Sequence, residues 1–290
     1  MGNAEHPARD TPRTRAATLL AVGAVLVVVV LFAVAAIAAL ALNGASTRSA
    51  ASAPAPTGGP ARPTPASPSP SPSTPPGGGA SWDTTAENAV ASTPMVAFSV
   101  EAAQPHTLSP RTAGPAIALP PATVRTGAVP QGFPRTPEGA LAQLKALDET
   151  GMQGLDPAAF ELAWQELASP GAPASGAVGL VRAARAARST GGLDATGPVD
   201  GLTSAYQVDA GLIKGTADDG NFVVPCVLGE LSVITTTSAR RVGLGDCQGM
   251  RWVQGRWRIS PTALPSAASC AWPGTEEAVT AGYRGVSGDA

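Results

Sequence analysis

Apolar positions change their spacing along this chain. Between residues 136 and 190 they recur three and four apart, and beyond residue 200 they alternate. Before residue 129 they follow neither period, apart from a short alternation at 96–100 and one uncharged, largely apolar run at 16–42. Thr136-Pro137-Glu138 reads as a helix start. The Thr136 hydroxyl can accept a first-turn amide, Pro137 fits the first helical position, and Glu138 sets a negative charge at the positive end of the helix dipole. Ala140, Leu141, Leu144 and Leu147 then share one stripe, which predicts a helix over 137–149. Asp156-Pro157 repeats the same start, and Phe160, Ala163, Trp164 and Leu167 share a face of the second helix. A third helix is predicted over 176–189, with Val178, Val181, Ala184 and Arg185 in line. Its Arg182, Arg185 and Arg188 read as a solvated basic face.

Alternation takes over in 203–217 and 221–237, two strands joined at Asp218-Asp219-Gly220. A third strand is predicted from about 240 to 253, and the Gln254-Gly255 turn returns a fourth. That turn pairs Val253 with Arg256, Trp252 with Trp257 and Arg251 with Arg258. Met250, Trp252, Trp257 and Ile259 then form a core face, and Arg251, Val253, Arg256 and Arg258 the opposite one. A last helix is predicted over 276–285, capped by Thr275. Helices followed by an antiparallel meander make residues 129–286 an α+β domain.

The uncharged run 16–42 would be about 40 Å long as a helix, enough to cross a hydrocarbon core of about 30 Å. The rival reading is a secretory signal, for which "ALA" before Asn43 offers a cleavage site, but its apolar region is usually about 7–15 residues. Arg9, Arg13 and Arg15 precede the run and only Arg48 and Arg62 follow closely, which points to a cytoplasmic tail at 1–15 and an extracytoplasmic domain. Residues 43–80 are a Pro/Ser/Gly-rich linker, read as disordered, whose Pro-dense part favours extended polyproline II. Residues 81–128 read as an extended arm with one strand at 94–102, where Val96, Phe98 and Val100 alternate with smaller or polar residues.

Three stretches carry a family likeness: "GFPRTPEGALAQL" at 132–144, "GLIKGTADDGNFVVPCV" at 211–227 and "DCQGMRWVQGRWRI" at 246–259. Together they resemble a family of actinobacterial single-pass membrane proteins with no assigned activity. The resemblance implies an extracytoplasmic nuclear-transport-factor-2-like domain, a cone of helices packed on a curved antiparallel sheet whose first helix closes the wide end. In general plan such proteins are similar to the bitopic assembly component of type IV secretion and conjugation machines. That last step is analogy of plan, which does not establish function.

Composition narrows the chemistry. Aromatic residues are 4% and charged residues 14%, while 33 Gly and 29 Pro exceed what one compact core holds. A formal charge of −2 gives no global pull toward nucleic acid. The 2 histidines are His6 in the tail and His106 in the arm, so no histidine-based triad or metal site is expected in the core. Tyr206 and Asp209 lie three apart on one strand and so on opposite faces unless a bulge intervenes. No catalytic residue, cofactor or metal ligand is assigned.

The expectation is a non-catalytic, membrane-anchored assembly component whose partners are other envelope proteins or a second copy. Arg251, Arg256 and Arg258 are its candidate contact surface. The alternative is an extracytoplasmic pocket protein that binds or converts a small apolar ligand or a cell-wall fragment. A filled interior favours the first, and an open cavity with converging polar groups the second.

Outside a membrane, disulfides persist. If the second and third strands turn at 235–238, Ile234 faces Ala239, and counting back sets Cys226 opposite Cys247. Directly opposed residues come close enough to bridge. A one-residue slip would turn the pair to opposite faces, leaving buried thiols. Cys270 is left over.

Overall fold

The computed structural model describes residues 82–261 and 265–288. The tail at 1–15, the apolar run at 16–42 and the linker at 43–80 lie outside them. No helix among the described residues is long and apolar enough to cross a membrane.

The helical stretch folds as its capping residues dictate. Helix α2 (Pro137–Gly151) starts with Gly139 N–H donating to the Thr136 hydroxyl at 3.0 Å, and α3 (Pro157–Leu167) with Ala158 N–H donating to Asp156 at 3.0 Å. Helix α4 (Gly179–Thr190) follows, and helix α1 (Thr84–Ser92) precedes them all. The chain before α2 is docked as well. Phe133 is buried, and the Pro134 carbonyl accepts the Trp257 indole N–H at 2.8 Å. That carbonyl lies so close to Gly139 that a Cβ there would collide with it, which explains a glycine inside the first helical turn.

The strands are β1 (Ile117–Ala118), β2 (Thr203–Ala217), β3 (Phe222–Ile234), β4 (Ala239–Cys247), β5 (Met250–Val253), β6 (Arg256–Ile259) and β7 (Arg284–Ser287). They form a curved, unclosed, largely antiparallel sheet in the order β1-β7-β2-β3-β5-β6, with β4 also paired to β3. Long β3 changes neighbour near Pro225, pairing β4 from Cys226 onward and β5 at Phe222 and Val223. A proline, lacking the ladder's N–H, suits that changeover. The register follows the sequence reading: Ile234 faces Ala239, Cys226 faces Cys247, and Trp252 faces Trp257.

Both faces of the sheet are covered. Helices α2–α4 pack on one face, where Leu141, Leu144, Phe160, Trp164, Val181, Val227, Leu244 and Trp257 share one cluster. The other face holds Phe222, Val224, Cys226 and Leu228 under Ala91, Ala271, Ala278 and Tyr283, contributed by α1, the 266–272 segment and the end of the chain. This corrects the expected domain start at 129. The arm belongs to the fold: it supplies α1, buries Ala91, Ala103 and Leu119, and adds β1 parallel to β7 at the sheet edge. The expected strand at 94–102 is absent; a short 3-10 turn (Val100–Ala103) forms instead, because Val96 stays exposed while Phe98 and Met95 drop onto the sheet. The final helix is also shorter than expected. Helix α5 (Glu276–Thr280) stops early because β7 must begin, and the Thr275 hydroxyl donates to Trp272 O at 2.7 Å rather than capping it.

Candidate functional site

Two carboxyls lie between the helices and the sheet. Asp148 occupies the stripe that Leu141 and Leu144 define on α2, so helical period carries it into the core. Asp246 follows Val242 and Leu244 on the inward face of β4, delivered there by strand alternation. Asp148 is fully buried, and neither of its carboxyl oxygens has a hydrogen-bond partner among the described residues. Burial drives its pKa well above the ordinary carboxylate range, and the charges of Asp246 and Glu149 add to the shift. Asp246 accepts from Gln248 Nε2 at 2.7 Å, and burial raises its pKa to about 6. Tyr206 joins them, its ring passing over Gly229, where any side chain would collide with the Gln207 carbonyl. Its hydroxyl donates to Leu244 O at 2.7 Å.

Beside Asp246 a cavity of about 150 Å³ opens between the start of α4, β4 and the 265–270 segment. Its walls include Trp164, Leu180 and Leu244, with Arg182, Asp246, Gln248 and Ser266 among the polar groups. Arg182 acts on Asp246 through space, lowering its pKa, yet no ion-pair contact joins them. Cys270 also lines the cavity; burial pushes its thiol up, away from the reactive thiolate. No group of three or more potential metal ligands occurs among the described residues.

The residues singled out from sequence fare differently. Cys226 and Cys247 are joined by a disulfide on the arm-covered face, with the Met95 sulfur 3.7 and 3.4 Å from their sulfurs. Arg251, Arg256 and Arg258 do not form one exposed patch. Arg251 is buried, because the arm covers the face on which a solvated surface was expected. Its guanidinium donates to both Glu87 oxygens at 2.6 and 2.5 Å and stacks 4.5 Å from the Trp82 ring centre. Arg258 donates to Glu166 O at 3.0 Å, and Arg256 stays half-buried. The arginine stripe on α4 also breaks, since Arg188 is buried and donates to the carbonyls of Asp194, Leu155 and Gly197. A bulge at Asp209 does intervene in β2, but it sends Asp209 to a groove on the far side rather than toward Tyr206.

Asp148 and Asp246 escaped the sequence reading although their signal was present: each is an acid at an apolar position of its element's period. Their folded pKa values lie above the unfolded ones, so the folded state binds more protons and stability falls as pH rises from about 4, through about 6 for Asp246 and further for Asp148. Glu101, Glu161 and Glu277, whose pKa values are lowered, lie near the surface where screening leaves them little weight. The melting temperature is therefore expected to be higher at pH 5 than at pH 7.5. Asp148→Asn should flatten that difference and raise the neutral value by at least about 2–4 °C, as a gain of about 1 kcal/mol would. A wild-type melting temperature that climbs from pH 5 to 7.5 contradicts this.

Comparison with known proteins finds no matching family model, no matching curated protein and no matching solved structure.

Proposed function

We propose that the chain is a single-pass membrane protein whose extracytoplasmic domain serves, without catalytic turnover, as an assembly platform for envelope proteins, of the kind conjugation or secretion machines use. One observation carries the reading. The first described residues are fastened at once, Trp82 and Glu87 closing on buried Arg251. A tether that enters through such a clasp hands its position to the sheet rather than letting the domain swivel freely.

The apolar run at 16–42, its upstream arginines and the Pro-rich linker supply the anchor and stalk of this proposal. A curved sheet with helices on one face is in keeping with a nuclear-transport-factor-2-like cone, and the arm over the second face is an addition to that plan. The absence of turnover is supported by the engagement of the candidate groups. Tyr206 spends its hydroxyl on Leu244, and Asp148 is shut away from solvent. After cross-linking in intact membranes, the full chain is expected in a defined complex well above monomer mass, from which a chain lacking residues 1–80 is lost. Migration of the full chain as a monomer after efficient cross-linking sinks the reading.

A second reading, the extracytoplasmic pocket protein, is favoured by the cavity beside Asp246.

A further inference from the structure

We propose that the cavity between α4, β4 and the 265–270 segment binds a small free α-amino acid, its ammonium group at Asp246 and its carboxylate at Arg182. This inference rests on the second reading, the pocket protein, and replaces its small apolar ligand with a small zwitterion.

Size comes first. A cavity of about 150 Å³ is the size that takes a benzene molecule in an engineered protein core, or about six non-hydrogen atoms. Alanine has that many.

Charge comes next. A cavity lined only by Trp164, Leu180 and Leu244 would select an apolar guest, but this one holds an acid and a base on its wall. Asp246 is only 4% exposed, and Gln248 fixes one carboxylate oxygen from the side. Arg182, on the same cavity wall, supplies the opposite charge and makes no ion pair with Asp246 among the described residues. Two opposite charges that share a cavity without touching leave a gap that a molecule bearing both charges fills. A ligand with a single charge satisfies one side only and leaves the other group desolvated without a partner.

The start of α4 strengthens the carboxylate end. Gly179 and Leu180 line the cavity, and Val178, at the cap position, offers no side-chain acceptor to the first-turn amides. The positive end of this 12-residue helix thus faces the same space as Arg182. The apolar walls are left for the side chain, which must be small.

Calorimetric titration of the detergent-solubilised full chain tests this with alanine of either hand, propionate and propylamine. Alanine of at least one hand is expected to bind, with propionate and propylamine at least about tenfold weaker, since each lacks one charge-assisted contact. Arg182→Met should weaken alanine by at least about tenfold through loss of one such contact. Ala177→Trp should abolish binding by filling the mouth of the cavity from an exposed position, with an unchanged melting temperature showing that the fold survives. Propionate or propylamine binding as tightly as alanine, with Ala177→Trp blocking it, overturns the amino-acid assignment and leaves the pocket reading standing. Binding of alanine that ignores Ala177→Trp places the site elsewhere and overturns the proposal. Failure of all these compounds to bind overturns the proposal and leaves the pocket reading standing for an uncharged apolar ligand.

Discussion

Replacing Glu87 with alanine is expected to destabilise the domain by about 3–5 kcal/mol, because it removes the carboxylate that pairs with a buried guanidinium. Glu87 has no exposed surface and Arg251 is 6% exposed, so water cannot take over the lost contacts. The two groups meet in a two-pronged pair, which is the geometry that makes such contacts strong. The cost arises at the buried guanidinium that remains rather than from the missing glutamate. Glu87→Leu combined with Arg251→Met should therefore recover most of the loss. Urea denaturation of the full chain in detergent, followed by tryptophan fluorescence, measures both. A single-variant loss below about 1 kcal/mol, the level of an exposed pair, would mean that the arm leaves the sheet easily.

Cys226→Ala with Cys247→Ala is expected to cost about 3 kcal/mol, the chain-entropy value for a loop of this length, the two cysteines being 21 positions apart. The same bond staples β3 to β4 directly, where one further slip of register would be most damaging. Peptide mapping without reductant should recover the Cys226–Cys247 peptide and leave Cys270 as a thiol. Titration with reductant should then lower the urea midpoint of the wild type to that of the double variant. A midpoint indifferent to reductant would deny the bond a stabilising role.

Much of the helix-and-sheet frame was legible because local rules decided it. Thr136 and Asp156 cap the helices that their neighbours promised, and the turns at 235–238 and Gln254-Gly255 fix the strand register. The arm was not legible, since its residues carry no period: α1 buries Ala91 and Glu87 through contacts with strands far along the chain. Arg251 shows the cost of reading one face alone. Alternation placed it correctly opposite the tryptophans, but nothing local announced that this second face would be roofed over. At Asp148 and Asp246 the period was visible and the residue type contradicted it. Such contradictions cluster where a fold does something other than stabilise itself.

The clasp at Arg251 also sets an order in time. Glu87 and Arg251 are 164 positions apart, and Ile117 of β1 waits for Val286 of β7. A chain made from its N-terminus therefore exposes the arm first and can seat it only after nearly all the rest has emerged. Closing so long a loop is slow compared with forming the local hairpins, so helices α2–α4 and the β2–β4 meander are ready before their roof arrives. The oldest part of the domain is the last to dock.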